Sequence, residues 1–250
     1  MTRSMRFVGI AVVLGAPGMA ARAQEPRPEE IIDKAIRAHG GAERLAGLSA
    51  FTLKERTVYP DAATWDTQIV VQLPGRYRSE RTISSGGESS TSLIVLDGDQ
   101  GWMKSNDVVT PYPKTFLASM QKYTVPYEGP RSILRLRARQ KNPACQFTTA
   151  GEGTVEGRPV VGLRMKLEGG PEETWYFDKE SGLLLKQELH VKRFEGEDEV
   201  HVTLYEDYQT CDGFPIARKV AHQDDRKVVY TRELIAFKAE TPSEGAFARP

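Results

Sequence analysis

Beyond its first two dozen residues this 250-residue chain has no apolar run long enough to cross a bilayer, because charged residues break every hydrophobic stretch within a few positions. Cysteine is scarce. Cys145 and Cys211 are the only two, and neither belongs to a CxxC pair or a Cys/His cluster, so redox and structural-zinc chemistry have no footing in the spacing. A charge surplus is missing as well, with 34 basic against 34 acidic residues, which removes the electrostatic footprint of a nucleic-acid binder. Also absent are GxSxG, HExxH and a phosphate-cradling glycine loop; Gly98, Gly101 and the paired glycines lie in hairpin-type turns and not between a strand and a helix. The chain is therefore not expected to be an enzyme or to use a cofactor.

The first residues differ in kind from the rest. Arg3 and Arg6 precede an uncharged stretch from Phe7 to Ala20, and Ala21-Arg22-Ala23 follows. A charged start, a short apolar core broken by Gly and Pro, and small residues at the end mark a secretory signal peptide cleaved after Ala23. Residues 1–23 are read as that leader and residues 24–250 as one periplasmic domain; 250 − 23 leaves 227 residues, ample for a sizeable core. In an oxidising compartment Cys145 and Cys211 either pair, closing a loop worth ~4 kcal/mol in the chain-entropy model, or stay as two buried thiols. Spacing alone does not choose between them.

Local patterns then divide the chain. From Pro28 to Ala38 the apolar residues Ile31, Ile32, Ala35 and Ile36 recur at helical spacing, with Glu29 and Glu30 where a helix N-terminus favours carboxylates. Gly40-Gly41 ends this helix, His39 sits at its end as a positive charge, and Ala42 to Leu48 forms a further short helix. After Ser49 the period becomes two. Trp65 to Leu73 and Arg76 to Ile83 form a hairpin, Ser84 to Ser90 reads as a flexible Ser/Gly loop, and Ser92 to Leu96 turns at Asp97-Gly98-Asp99-Gln100-Gly101. Between Lys114 and Gln140 helical spacing returns around Phe116, Leu117, Met120, Ile133, Leu134 and Leu136, interrupted by Pro126 and Pro130. Arg131, Arg135, Arg137, Arg139 and Lys141 there form a solvated face or meet anionic lipid head groups. From Gln146 to Lys238 strands alternate with Gly- and Asp-rich turns, so neighbours in sequence are antiparallel neighbours in space.

A two-residue turn at Gly196-Glu197 would put Leu183, Leu185, Leu189 and Val191 on one face with Val200, Val202 and Leu204. The other face then carries His190 and His201 diagonally across adjacent strands. Without a third ligand they are read as two exposed histidines and no metal is expected.

The segments "IIDKAIRAHGGAERLAGLSAFTLKERTVY", "LIVLDGDQGWMKS", "WYFDKESGLLLKQELH" with "VTLYEDYQTCDGFPIARKV", and the closing "IAFKAETPSEGAFARP" together resemble the periplasmic outer-membrane lipoprotein-sorting family, the LolA/LolB-like carriers. The resemblance implies an α+β fold: a mainly antiparallel, unclosed β-barrel of about eleven strands with helices at Glu29 to Leu48 and Lys114 to Gln140 covering its open side. It also implies a hydrophobic cavity for lipid or lipoprotein acyl chains, with Trp65, Ile69, Val71, Leu93, Val95, Leu183, Leu185, Leu189, Val202 and Leu204 as wall and Phe116 and Met120 as lid. The partners implied are a lipid or acylated lipoprotein and membrane-bound donor and acceptor proteins. A periplasmic sensor or regulatory module that grips a partner protein is the other function such a scaffold supports.

Overall fold

A computed structural model describes residues 25–127, 129–191, 199–224 and 227–250; the leader expected over residues 1–23 and the turn expected at Gly196-Glu197 lie outside them. Two up-and-down meanders share one antiparallel sheet. β1 (Ala50–Val58), β2 (Thr64–Gln72), β3 (Arg76–Ser85), β4 (Glu88–Asp97), β5 (Gln100–Ser105) and β6 (Val108–Pro111) run outward to one edge. From the other edge β7 (Cys145–Val155), β8 (Arg158–Leu167), β9 (Glu172–Asp178), β10 (Leu184–Val191), β11 (Glu199–Cys211), β12 (Phe214–Asp224) and β13 (Lys227–Lys238) run back until β13 pairs with β1. The sheet thus has 13 strands, and its edge strands β6 and β7 do not pair, which leaves an unclosed half-barrel.

The alternation of side chains decides which face is hidden. Leu96, Tyr77, Val71 and Phe51 lie opposite one another across β4, β3, β2 and β1. Val161, Phe177 and Leu184 do the same across β8, β9 and β10. Both rows face inward and join one apolar cluster with Ile31, Ile32, Ala35 and Ile36 of α1 (Pro28–Ala38) and Leu45 of α2 (Ala42–Gly47). Burying each such aliphatic or aromatic side chain contributes roughly 1.5–3 kcal/mol, so this concave face supplies most of the folding drive. α1 begins where Glu30 reaches back to accept from the Arg27 backbone N–H at 3.0 Å, satisfying a donor that the first turn leaves free.

The link from β6 to β7 must travel from one sheet edge to the other, and it does so over the concave face. It holds α3 (Lys114–Ser119), a wide turn at Met120–Thr124, two tight turns at Val125–Tyr127 and Gly129–Ile133, and α4 (Leu134–Gln140). Leu117, Val125, Ile133 and Leu136 are its buried anchors. At Gly129 the link comes so close to β1 that a Cβ would stand 3.2 Å from Phe51 Cε2, and φ there is +55°.

The convex face has a smaller cover: Phe247 of the C-terminal segment lies on Val70 and Val95, with the Arg76 guanidinium 5.8 Å from its ring centroid. Ser84 to Ser90 is no flexible loop. β3 continues to Ser85 and β4 starts at Glu88, because Gly86 and Gly87 both take positive φ and so fit a two-residue hairpin turn.

The β10–β11 register also differs from the expected one. Leu189 lies opposite His201, and Val202 opposite Glu188, a displacement of three residues that exchanges the faces. β11 carries apolar or aromatic side chains at both parities, Val202 and Leu204 on one and Tyr205 on the other, so alternation did not discriminate. Cys145 and Cys211 are both free thiols. Followed through the pairings, Cys145 at the start of β7 is level with the first residues of β11, whereas Cys211 ends β11, far beyond the ~7 Å Cα separation that a disulfide tolerates.

Seating of the link on β1 can be tested with two glycines of like backbone. Gly87 has φ +85° and nothing within 4 Å of a built Cβ, so Gly87→Ala should lose only the left-handed strain, ~1–2 kcal/mol. Gly129→Ala adds the Phe51 contact and should lose measurably more in denaturant titrations; equal losses would mean that the link does not press on β1.

Candidate functional site

The arginines of the link do not form a solvated face; they hold it down. Arg131 Nε donates to the Pro126 carbonyl at 3.0 Å, and its Nη1 donates to the carbonyls of Leu45, Ala46 and Leu48, which are acceptors left over at the C-terminal end of α2. Arg137 pairs with Asp33 of α1. Arg139 Nη1 reaches Glu173 Oε1 at 2.6 Å, and the same buried carboxylate accepts from Trp175 Nε1 at 3.0 Å and Gln187 Nε2 at 2.9 Å. A buried carboxylate needs such partners, because unpaired it would cost several kcal/mol.

Between the link and the sheet remains a hollow of ≈ 260 Å³. Leu53, Leu184, Val220, Leu234 and Phe237 form its apolar floor, and Pro130 and Ile133 of the link form its roof. Glu55, Arg135 and Arg232 supply charge along its border, with Arg232 Nη1 3.6 Å from Glu55 Oε1. Two phenols are set into the wall. Burial pushes the Tyr205 and Tyr208 hydroxyls above their usual range, so both stay protonated; the Tyr208 O–H donates a hydrogen bond to the Leu184 carbonyl at 2.9 Å. The hollow therefore offers a mixed surface, an apolar floor and roof beside two phenols and three charged side chains, a composition suited to an amphiphile.

His39 borders this hollow and is not a positive charge at a helix end. It is buried, and burial lowers its pKa against the opposing pull of the Ala35 carbonyl, 2.8 Å from Nδ1. The ring is neutral with Nδ1–H as donor, its edge toward Tyr208 with centroids 5.8 Å apart.

The twelve residues expected to line a cavity are dispersed. Ile69 and Val71 face inward and belong to the filled core, and Met120 packs against it. Trp65 and Leu189 also face inward, beyond the link. Leu93 and Val95 lie on the convex face beneath Phe247, and Val202 and Leu204 share that face with Glu188 and Lys186. Leu183 sits in the turn before β10. Leu185 is the extra residue of a bulge between Leu184 and Lys186, so Leu183, Leu185 and Leu189 cannot share a face as a simple alternation requires. Phe116 is 61% exposed with its edge on Tyr112; Leu117 takes the inward position instead. None of the twelve borders the hollow. Its floor residues at Leu184, Val220 and Leu234 could be found only once the bulges and the β10–β11 register were known.

Past the hollow the concave face turns polar and carries a row of rings. The Arg81 guanidinium stands 4.6 Å from the Trp65 ring centroid; Trp65 is followed by Tyr59 at 4.8 Å, Tyr230 at 5.7 Å, His222 at 4.9 Å and His201 at 6.2 Å. His190 is opposite Val200 and His201 opposite Leu189, so these two histidines point to opposite faces and do not form the diagonal pair expected. Among the described residues, no helix is long and apolar enough to cross a membrane.

No protein-family model and no curated protein sequence matches the chain. Solved structures do. A LolA superfamily protein from Nitrosomonas europaea superposes with a TM-score of 0.54 at 11% identity, covering 89% of this chain and 98% of the other. A domain provisionally assigned as an outer membrane lipoprotein-sorting protein, from Vibrio parahaemolyticus, gives 0.55 at 13% identity over 88% and 97%. A DUF1329 family protein from Desulfovibrio piger gives 0.57 at 10% identity over 89% and 97%. At these identities the likeness establishes the fold, and the fold is LolA-like.

The neutral, buried His39 makes stability depend on pH in a defined sense. Unfolded, it takes up a proton as the pH falls through ~6.5, whereas the folded ring resists until lower pH, so stability should decline below ~6.5. Denaturant titrations at about pH 7.5 and about pH 5.5 should show a smaller decline for His39→Gln than for the unaltered chain; equal declines would contradict a buried neutral ring.

Proposed function

We propose that this chain is a periplasmic carrier or binding protein for an amphiphile, exported by a leader cleaved after Ala23, that takes an acyl chain into the hollow between the link and the concave face. Residues 24–250 then act as one binding unit. The observation that carries this reading is the hollow of ≈ 260 Å³ that sets an apolar floor against Glu55, Arg135 and Arg232: tails would lie along the floor, and a polar head would meet the charged side chains. Each methylene moved from water contributes ~0.8 kcal/mol, so affinity builds without directional chemistry. A volume just under the ~300–1,000 Å³ of drug-sized sites accommodates part of a long chain, and a full one requires the link to lift. Ile69, Val71 and Met120 would then join the wall. The Arg131, Arg137 and Arg139 contacts are what such a movement must break, and an acyl chain bound beneath the link would favour the lifted state by its differential affinity. Lipid or acylated lipoprotein supplies the chains, and membrane-bound donor and acceptor proteins would exchange them.

The LolA-like fold supports this reading. Mass spectrometry of the protein purified natively from its host envelope, together with displacement of a fluorescent fatty acid, tests it. Leu234→Arg, which places a charge in the floor, should weaken the fatty acid at least about tenfold, or ~1.4 kcal/mol; Ile235→Arg, on an exposed neighbour, should not. Absence of any bound lipid or acyl probe, or equal affinity in the two variants, would sink the carrier. A stoichiometric protein in place of lipid would point to a regulatory module.

A further inference from the structure

A second constellation lies on the polar part of the concave face, separate from the hollow. β11 and β12 set His201 opposite Asp224 and Thr203 opposite His222, so two imidazoles and a carboxylate converge on one face of adjacent strands. Donor atoms of His201, His222 and Asp224 all lie within 4.8 Å of one another, and the three residues are half-buried. His201 Nδ1 is 2.6 Å from Asp224 Oδ1, while its Nε2 is 3.6 Å from Glu199 Oε2. Thr203 Oγ1 stands 3.0 Å from His222 Nδ1, and the Tyr230 ring stacks on His222 with centroids 4.9 Å apart and planes 10° apart. Beside the cluster is a hollow of ≈ 200 Å³ bordered by Gln187, Leu189, Val191, His201, Thr203 and His222.

We infer that His201, His222 and Asp224 form a binding site for a divalent transition-metal ion of the zinc class, with the adjoining hollow as an open coordination position. Two nitrogen donors and one carboxylate oxygen suit zinc; calcium and magnesium prefer all-oxygen shells. Bonds of about 2.0–2.2 Å place tetrahedral donors about 3.3–3.5 Å apart. The His201–Asp224 pair therefore opens by less than an ångström and the widest pair closes by somewhat more, within reach of side-chain rotation. The surroundings already orient the rings. Glu199 faces the His201 nitrogen turned away from Asp224, Thr203 fixes His222, and Tyr230 clamps its plane, which is the kind of outer support that metal-bound histidines use. Three protein donors and one free position leave room for water or an anionic oxygen ligand. The site stands on its own residues, so failure of the carrier reading leaves it intact.

The test uses the purified protein without a histidine tag, stripped with chelator and titrated with zinc sulfate by calorimetry. One ion should bind per chain. His201→Gln, His222→Gln and Asp224→Asn should each weaken binding by more than about a hundredfold, and Thr203→Val, outside the donor set, by about ten- to a hundredfold. His190→Gln, on the opposite face, should bind as the unaltered chain does. A variant-free readout guards against folding defects: cobalt(II) should shift or broaden the imidazole NMR signals of His201 and His222 far more than those of His190 and His39. The site is refuted by zinc affinity weaker than about 0.1 mM, by His190→Gln lowering affinity as much as His222→Gln does, or by cobalt affecting all four histidines alike.

Discussion

The covering of one greasy face governs this structure. A sheet of 13 strands with inward rows such as Leu96, Tyr77, Val71 and Phe51 cannot leave that face in water, and because β6 and β7 stay apart it cannot close on itself to hide it. The chain's own passage from one edge to the other provides the cover. Leu117, Val125, Ile133 and Leu136 enter the core from that passage, and Gly129 gives the backbone room to approach β1. Topology and burial thus impose the same solution: the connection that must exist is also the lid that the sheet needs.

Such a lid is held by two kinds of force with different reach. Its apolar anchors act over a broad area and tolerate small displacements. Its arginines reach specific oxygen atoms: the free carbonyls of α2, Asp33 of α1, and the shared carboxylate of Glu173. Directional contacts of this type lose their energy over a short movement, so the link has a defined seat in place of a continuum of positions. The hollow beneath it exists where the two covers, α1 with α2 and the link, fail to fill the curvature, and its charged border coincides with Glu55 and Arg232 on β1 and β13.

How much of this was legible depended on periodicity. The first helix could be read to its ends, because Ile31, Ile32, Ala35 and Ile36 fall on one stripe and glycines follow. Strand existence, antiparallel order and the half-barrel class followed from alternation, turn residues and the family resemblance. Faces were another matter. A single extra residue reverses every later side chain, and bulges at Leu185 and in β13 beside Ile235 leave little trace in composition. Where a strand is apolar at both parities, alternation does not choose a face: Leu93 and Val95 lie outside because Ile94 and Leu96 take the inward positions of β4. Val202 and Leu204 lie outside because β11 is three residues from the register a two-residue turn predicts, which also sets His201 beside His222 and Asp224 and away from His190. The arginines of the link escaped for a different reason: their acceptors, carbonyls at Leu45 to Leu48 and carboxylates at Asp33 and Glu173, are distant in sequence, and a local window contains no sign of them.

The central ladder joins the first strand to the last, Thr57 facing Arg232 and Leu53 facing Phe237. Until the final strand has left the ribosome, β1 is an open edge and the two meanders are separate sheets, each exposing the side that the other helps to bury. Contacts spanning nearly the whole chain must form before either half gains its full stabilisation, a topology that favours slow, late and cooperative assembly. Loss of the last two dozen residues would therefore not trim a tail. It would unzip the molecule down its middle.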